Sequence, residues 1–326
     1  MTFIGFHASH EQVPPSALLE AVVEAERVGF DGAFSADHLA PWTPQQGESG
    51  STLAWMGAAL ASTRYSIGAV ATPGYRYHPV VVAHAIATWG EMFPGRYFAA
   101  LGSGELLNEH VIGGEWPSKD ERTARLGETQ DVIRRLLAGG EVSHDGRITV
   151  DRARLWSLPS VIPPLMATAT STATAAWAAG WAEGLVTVGT SAEEVAPILD
   201  AYRSAGGTGP ASVQVHVAHA ASEQATSDLV RDQWLHGVIT PPRIWDVAMP
   251  EDFAGLAGDP TDAELRRGVV ASADLTEIVE RVAATVAVGF DRVYVHEISR
   301  DQRGYLASWA PELLRTLRPL LEGSNR

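Results

Sequence analysis

The chain has no cysteine, one lysine, and no uninterrupted apolar run near the ~18 residues a membrane-spanning helix needs. Without cysteine there can be no disulfide, thiolate nucleophile or zinc ribbon. Lysine is confined to Lys119, which excludes Schiff-base chemistry, a carbamylated lysine or a lysine phosphate clamp anywhere else in the chain. Cationic charge is scarce overall: 24 Lys plus Arg against 39 Asp plus Glu leave a net charge of −15. Such a chain repels a phosphate backbone instead of releasing counterions from it. Residues 1–10 show neither the basic start nor the apolar stretch of a secretory signal. These absences lead to the expectation of a soluble, cytoplasmic protein with neither nucleic acid nor membrane as a partner.

What is present is 326 residues at 45% hydrophobic composition, enough to bury a large core. Short runs rich in Val, Ile, Phe and Tyr alternate with longer amphipathic stretches, the pattern of βα units around a parallel sheet. Eight runs qualify as strands: Phe3–Ala8, Gly32–Ala36, Ser66–Ala71, Tyr97–Leu101, Leu165–Thr168, Gly184–Val188, Ser212–Ala218 and Arg292–His296. They predict an α/β fold, a (β/α)8 TIM barrel formed as one domain over residues 1–326. Two stretches break the alternation and are expected to be insertions. The first, about 139–159, has a hairpin-like pattern around Asp145-Gly146, and the second, about 237–272, is rich in Pro, Asp and Gly and could form a lid.

In such a barrel the chemistry sits just beyond the C-terminal strand ends. Those ends are polar here: His7-Ala-Ser-His10, Ser35-Ala-Asp37-His38, Thr72-Pro73 and Gly102-Ser-Gly-Glu105 with Asn108 following. An imidazole is the side chain best placed to exchange a proton near neutrality, which makes His38 the centre of the site. The same pattern also suits Asp37 as a helix cap and His38 as a hydrogen-bonded loop residue. Glu105 could act as an acid if partly desolvated, or serve as a solvated first-turn residue. His7 and His10, three apart, could form a metal pair, but packing or substrate contact is the expected role, so no metal is expected, and His296 is open to either packing or substrate contact in the same way.

Three stretches resemble the luciferase-like oxidoreductases that use flavins or deazaflavins. They are Ser35-Ala-Asp-His-Leu-Ala-Pro-Trp42, Ala71-Thr-Pro-Gly-Tyr-Arg-Tyr-His-Pro79 and Phe93-Pro-Gly-Arg-Tyr-Phe-Ala-Ala-Leu-Gly-Ser-Gly-Glu-Leu-Leu-Asn-Glu109. The likeness runs nearly end to end and is close to the branch of F420-dependent glucose-6-phosphate dehydrogenases, while Ile4-Gly-Phe-His-Ala-Ser-His-Glu-Gln12, Val213-Gln-Val-His216 and Asp232-Gln-Trp234 resemble a subgroup of the family suspected of using an ordinary flavin instead. It implies that His38 removes the substrate hydroxyl proton, Glu105 is the acid toward the reduced ring and Trp42 lines the site. It further implies that Asp37, Thr72 and Asn108 hold the cofactor, and that a bulge with a non-prolyl cis bond at Ala69-Val70 backs the ring; Gly102-Ser-Gly104, with backbone donors free for close approach, suits a phosphate or ring cradle.

The departures carry equal information. That branch clamps a sugar phosphate with two lysines and an arginine, whereas the corresponding regions here, around Gly189–Ser191 and Arg243–Trp245, hold no lysine, and Arg267 alone remains. With His7, Arg243, Arg267 and His296 as substrate contacts, glucose 6-phosphate is not the expected substrate. Thr170-Ser171 replaces the Gly-Gly that binds cofactor phosphate, which suits F420 and FMN alike. The resemblance thus implies F420 or FMN with a small alcohol or carbonyl substrate, and a possible homodimer. The alternatives are an FMN-dependent monooxygenase of the same fold and, more remotely, a metal-dependent barrel hydrolase.

Overall fold

The computed structural model describes residues 2–323. Eight parallel strands form a closed ring: β1 Phe3–Ala8, β2 Gly32–Ser35, β3 Ser66–Ala71, β4 Tyr97–Leu101, β5 Leu165–Thr168, β6 Leu185–Val188, β7 Ala211–Ala218 and β8 Arg292–Glu297. Closure comes from Leu185 beside Ala211 between β6 and β7, and from Phe3 beside Arg292 between β1 and β8. The architecture is a (β/α)8 barrel.

The helices between strands follow from local signals. Pro14 and Pro15 start the helix Pro15–Val28, and Gly29 ends it in the left-handed region at φ 110°, where its N–H reaches the carbonyls of Ala25 and Glu26. Ser191 caps Ala192–Ser204 by accepting from the amide of Glu194. Alternate strand residues fill the barrel interior, and Phe34, Phe98, Met166, Val186 and Tyr294 form one layer. Glycine makes room for that layer: a Cβ on Gly68 would lie 2.0 Å from the Phe98 ring, and one on Gly5 2.3 Å from Tyr294.

The layer above is the floor of the barrel mouth, and it divides in two. Between β7, β8 and β1 it consists of His216, His296 and His7, with His216 and His296 directly paired in register. Between β3 and β6 it consists of small or short side chains, Val70, Thr168 and Val188, all half-buried. Beyond these strand ends Ala71, Thr72, Ser103, Gly104 and Gly189 are likewise half-buried, a stretch of short side chains along the rim.

Residues 139–159 hold a two-stranded antiparallel hairpin, Val142–Asp145 with Thr149–Ala153. Residues 237–272 are more regular than their composition suggests: they carry the helix Pro250–Ala257 and a two-residue strand, Val270–Ala271, that pairs with Val217 and Ala218 of β7. Part of this segment folds over the mouth, where Ile239, Ile244, Val247 and Phe253 pack on Leu107 and Trp42. No helix among the described residues is long and apolar enough to cross a membrane.

The expected cis bond at Ala69-Val70 is not there. β3 pairs in parallel register through both residues, Ala69 beside Ala99 and Val70 beside Ala100, with no cis bond between them. The cis bond among the described residues is Pro241-Pro242, in the segment over the mouth.

Candidate active site

His38 follows β2 and is buried at the rim of the mouth. Its Nε2 lies 3.7 Å from Oε1 of Glu11 and 3.8 Å from Oε2 of Glu105. Its Nδ1 is buried without a hydrogen-bond partner. The loop holding it is fixed because Ser49 Oγ donates to the His38 carbonyl at 2.7 Å.

Glu11 is the site residue that sequence reasoning did not single out. It lies just past β1, fully buried, and Ser9 Oγ donates to its Oε2. Burial on its own would raise its pKa, yet the charge of His38, the Ser9 hydrogen bond and His7 together outweigh that and hold the carboxyl below its ordinary value. The only signal in the sequence was a charged residue directly after a polar strand end.

Glu105 follows β4 and precedes the short helix Leu106–Glu109. Burial pushes its carboxyl above the ordinary range, against the pull of His38, with Glu11 adding to the rise. Asn108 Nδ2 donates to Glu105 Oε2 at 3.3 Å, and Asn108 Oδ1 accepts from the Leu39 amide at 2.8 Å, so one side chain joins the β2 and β4 loops. Gly104 turns the chain out of β4 at φ 89°; a Cβ there would lie 3.0 Å from the Thr72 methyl.

Asp37 is engaged within the chain. Its Oδ2 pairs with Arg76 at 2.9 Å and its Oδ1 accepts from the Thr52 amide at 3.2 Å. Burial raises its pKa in spite of Arg76. Arg76 also donates to the Asp37 carbonyl, and its own amide donates to Glu109 at 2.8 Å, tying the β3 loop to those of β2 and β4. Arg76 sits inside the Gly-Tyr-Arg-Tyr run but was not given a role there.

Trp42 roofs the group. Its ring stacks flat on His236 at 5.1 Å and 1°, meets Phe253 edge-on at 5.5 Å, and lies 4.9 Å from the His38 ring. Burial lowers the pKa of His7 to about 4 and of His236 to about 3, and holds His216 and His296 well below the ordinary imidazole value. These rings are neutral near pH 7.

The remaining expected residues stand apart from this group. Thr170 and Ser171 are exposed beyond β5, where Ser171 caps Thr172–Ala178 by accepting from the Thr174 amide at 3.3 Å. Arg243 and Arg267 are also exposed. Lys119 donates to Ser103 Oγ at 2.8 Å. Among the described residues no group of three or more His, Asp or Glu is placed to hold a metal ion.

A parallel barrel with an imidazole between buried Glu11 and half-buried Glu105 at its C-terminal mouth has the groups of a barrel enzyme. The chain belongs to the luciferase-like monooxygenase family, whose profile matches residues 1–292. It is 35% identical to an F420-dependent glucose-6-phosphate dehydrogenase of Microbacterium testaceum, over 96% of this chain and 97% of that one. In structure it is similar to an F420-dependent secondary alcohol dehydrogenase in complex with an F420-acetone adduct, with a TM-score of 0.88 and 26% identity over 97% of this chain and 99% of the other. The oxygenating constituent of 3,6-diketocamphane monooxygenase from Pseudomonas putida, in complex with FMN, shares the fold at 15% identity and a TM-score of 0.70, covering 100% and 98% of the two chains.

Proposed function

We propose that this chain is an oxidoreductase that binds coenzyme F420 and transfers hydride between it and a small uncharged alcohol or carbonyl compound, glucose 6-phosphate excluded. The observation that carries the reading is His38 Nε2 between Glu11 and Glu105 at 3.7 and 3.8 Å, beside a rim of short side chains. Such a rim suits a flat ring. Its surface is Val70, Thr72, Gly104 and Thr168, short enough for close approach, while the buried Nδ1 of His38 lacks a partner within the chain. Asp37, Ala69, Val70, Thr72, Gly104 and Asn108 would hold the ring end, with Thr170 and Ser171 further along the rim toward the phosphate. When bound, F420 supplies the hydride acceptor or donor.

The chain's own groups manage the protons. His38, with Glu11 and Glu105 flanking its Nε2, is the imidazole that receives the proton of the substrate hydroxyl. Glu11, held ionised, then offsets the charge on the imidazolium. Glu105, its carboxyl raised by burial, is the acid toward the reduced cofactor. Trp42 and the segment over the mouth exclude water. The two relatives described above at 35% and 26% identity are named for F420, which favours it over FMN.

The test is titration of the purified protein with F420 and with FMN, followed by anaerobic turnover with neutral secondary alcohols and with glucose 6-phosphate. F420 should bind saturably and be reduced by a neutral alcohol, with no turnover of the sugar phosphate. Oxygen uptake with reduced FMN, in the absence of F420 binding, would replace this reading by the monooxygenase one.

A further inference from the structure

Below the proton-transfer group, three histidines on the floor of the mouth are wired by hydrogen bonds whose proton positions can be worked out. Gln12 Nε2 donates to the carbonyl of Ile298. A carbonyl can only accept, so the amide orientation is fixed and Gln12 Oε1 must face His296 Nε2, 2.9 Å away. His296 therefore carries its proton on Nε2. Burial keeps the ring neutral, so its Nδ1 is a bare acceptor. The nitrogen facing that acceptor, at 2.8 Å, is His216 Nδ1, which must be the donor. A neutral His216 with its proton on Nδ1 has a bare lone pair on Nε2. The opposite arrangement would need a second proton on a buried ring, which desolvation opposes.

His216 differs from its two neighbours in access. His7 and His296 are buried, whereas His216 is half-buried, the imidazole of the floor that a molecule in the mouth can reach. Its ring is held by Trp234 at 4.3 Å and by the His296 bond. The surroundings supply no competing charge for an anion, since Arg76 is paired with Asp37 and the neighbouring imidazoles are neutral.

We propose that His216 Nε2 is a fixed hydrogen-bond acceptor in the substrate site, and that the substrate is an uncharged alcohol with a second hydroxyl that donates to it. His216 is then a specificity-determining residue: His38 handles the reacting hydroxyl, and His216 recognises the other one. A donor on the substrate is required because the tautomer chain leaves His216 nothing to donate. A phosphate dianion, itself an acceptor, would meet a lone pair and be repelled.

This rests on the alcohol-oxidising reading above, so the test has two arms. In the first, the F420-loaded enzyme is given 2,3-butanediol and 2-butanol. Wild type should favour the diol by roughly 10–100-fold in kcat/KM, the scale of a polar group left unpaired in the poorer complex. His216→Phe should erase that ratio, and His216→Gln, whose Oε1 can take the place of Nε2, should restore most of it. A ratio near one in wild type, or one that survives in His216→Phe, overturns the proposal. The second arm needs no turnover. Nitrogen-15 NMR of the protein should report Nε2–H on His296 and Nδ1–H on His216, and added 2,3-butanediol, unlike 2-butanol, should shift the His216 Nε2 resonance. The shift without oxidation of either alcohol would sink the hydride-transfer reading and keep the subsite. The opposite tautomers, or no shift at saturating diol, would remove the subsite and leave that reading intact.

Discussion

Acidification should unfold this protein earlier than its carboxylates alone would dictate, because its mouth is built from buried neutral imidazoles. The ordinary imidazole value is 6.5, while burial lowers His7 and His10 to about 4 and His236 to about 3. Between pH 6.5 and those values the unfolded chain binds protons that the folded chain refuses, so stability falls as pH falls. Each pH unit costs about 1.4 kcal/mol per group. From pH 6.5 to 4.5 each of the three histidines therefore removes about 3 kcal/mol, on the order of 8 kcal/mol together. Glu297 acts in the opposite sense: burial raises it from 4.5 to about 7, so folded protein takes up its proton first and regains about 3 kcal/mol over the same range. The histidines win by a few kcal/mol, a large share of the 5–15 kcal/mol typical of a domain. The assay is the urea midpoint at pH 7, 6 and 5. His10→Leu isolates the cause, since both nitrogens of His10 lack partners and its ring packs edge-on against Trp55 at 5.0 Å. That variant should show a shallower fall than wild type, by about 1.4 kcal/mol per pH unit. A midpoint independent of pH, or an unchanged slope in His10→Leu, would refute the reasoning.

Further outcomes follow from the site. His38→Ala and Glu105→Gln should each lower turnover by ~10²–10⁴ while cofactor affinity stays near wild type, read by steady-state kinetics beside a fluorescence titration; loss of binding alone would mean a structural role. Arg76→Met leaves Asp37 buried without its 2.9 Å partner and should cost ~3–5 kcal/mol in urea unfolding, with part recovered at low pH as Asp37 protonates. Gly68→Ala should destabilise by ~1–3 kcal/mol, since its Cβ would lie 2.0 Å from the Phe98 ring; an unchanged melting temperature would show that Phe98 can move aside. Ser171→Asp, placed on the rim beyond β5, should weaken F420 through charge repulsion with its phosphate, and an unchanged titration would put the phosphate elsewhere.

The eight strands and their parallel arrangement were legible in the sequence, because buried parallel strands are written as contiguous apolar runs separated by capped amphipathic stretches. Helix ends at Gly29 and Ser191 were legible for the same reason: caps are local chemistry. His38, Glu105 and Trp42 could be picked out as strand-end residues with useful side chains, and the structure brings those three together. Tertiary structure alone decided what they touch. Glu11 reaches His38 only because β1 and β2 are neighbours in the barrel, and Arg76 reaches Asp37 only because the β3 loop folds back across β2. The pairing of His216 with His296 joins residues 80 apart in the chain through register between β7 and β8, and the Gln12 contact spans 284. Electrostatics of this kind depend on burial and on distances of a few ångströms, and a one-dimensional pattern records neither; it names the groups, and closure of the barrel sets their protons.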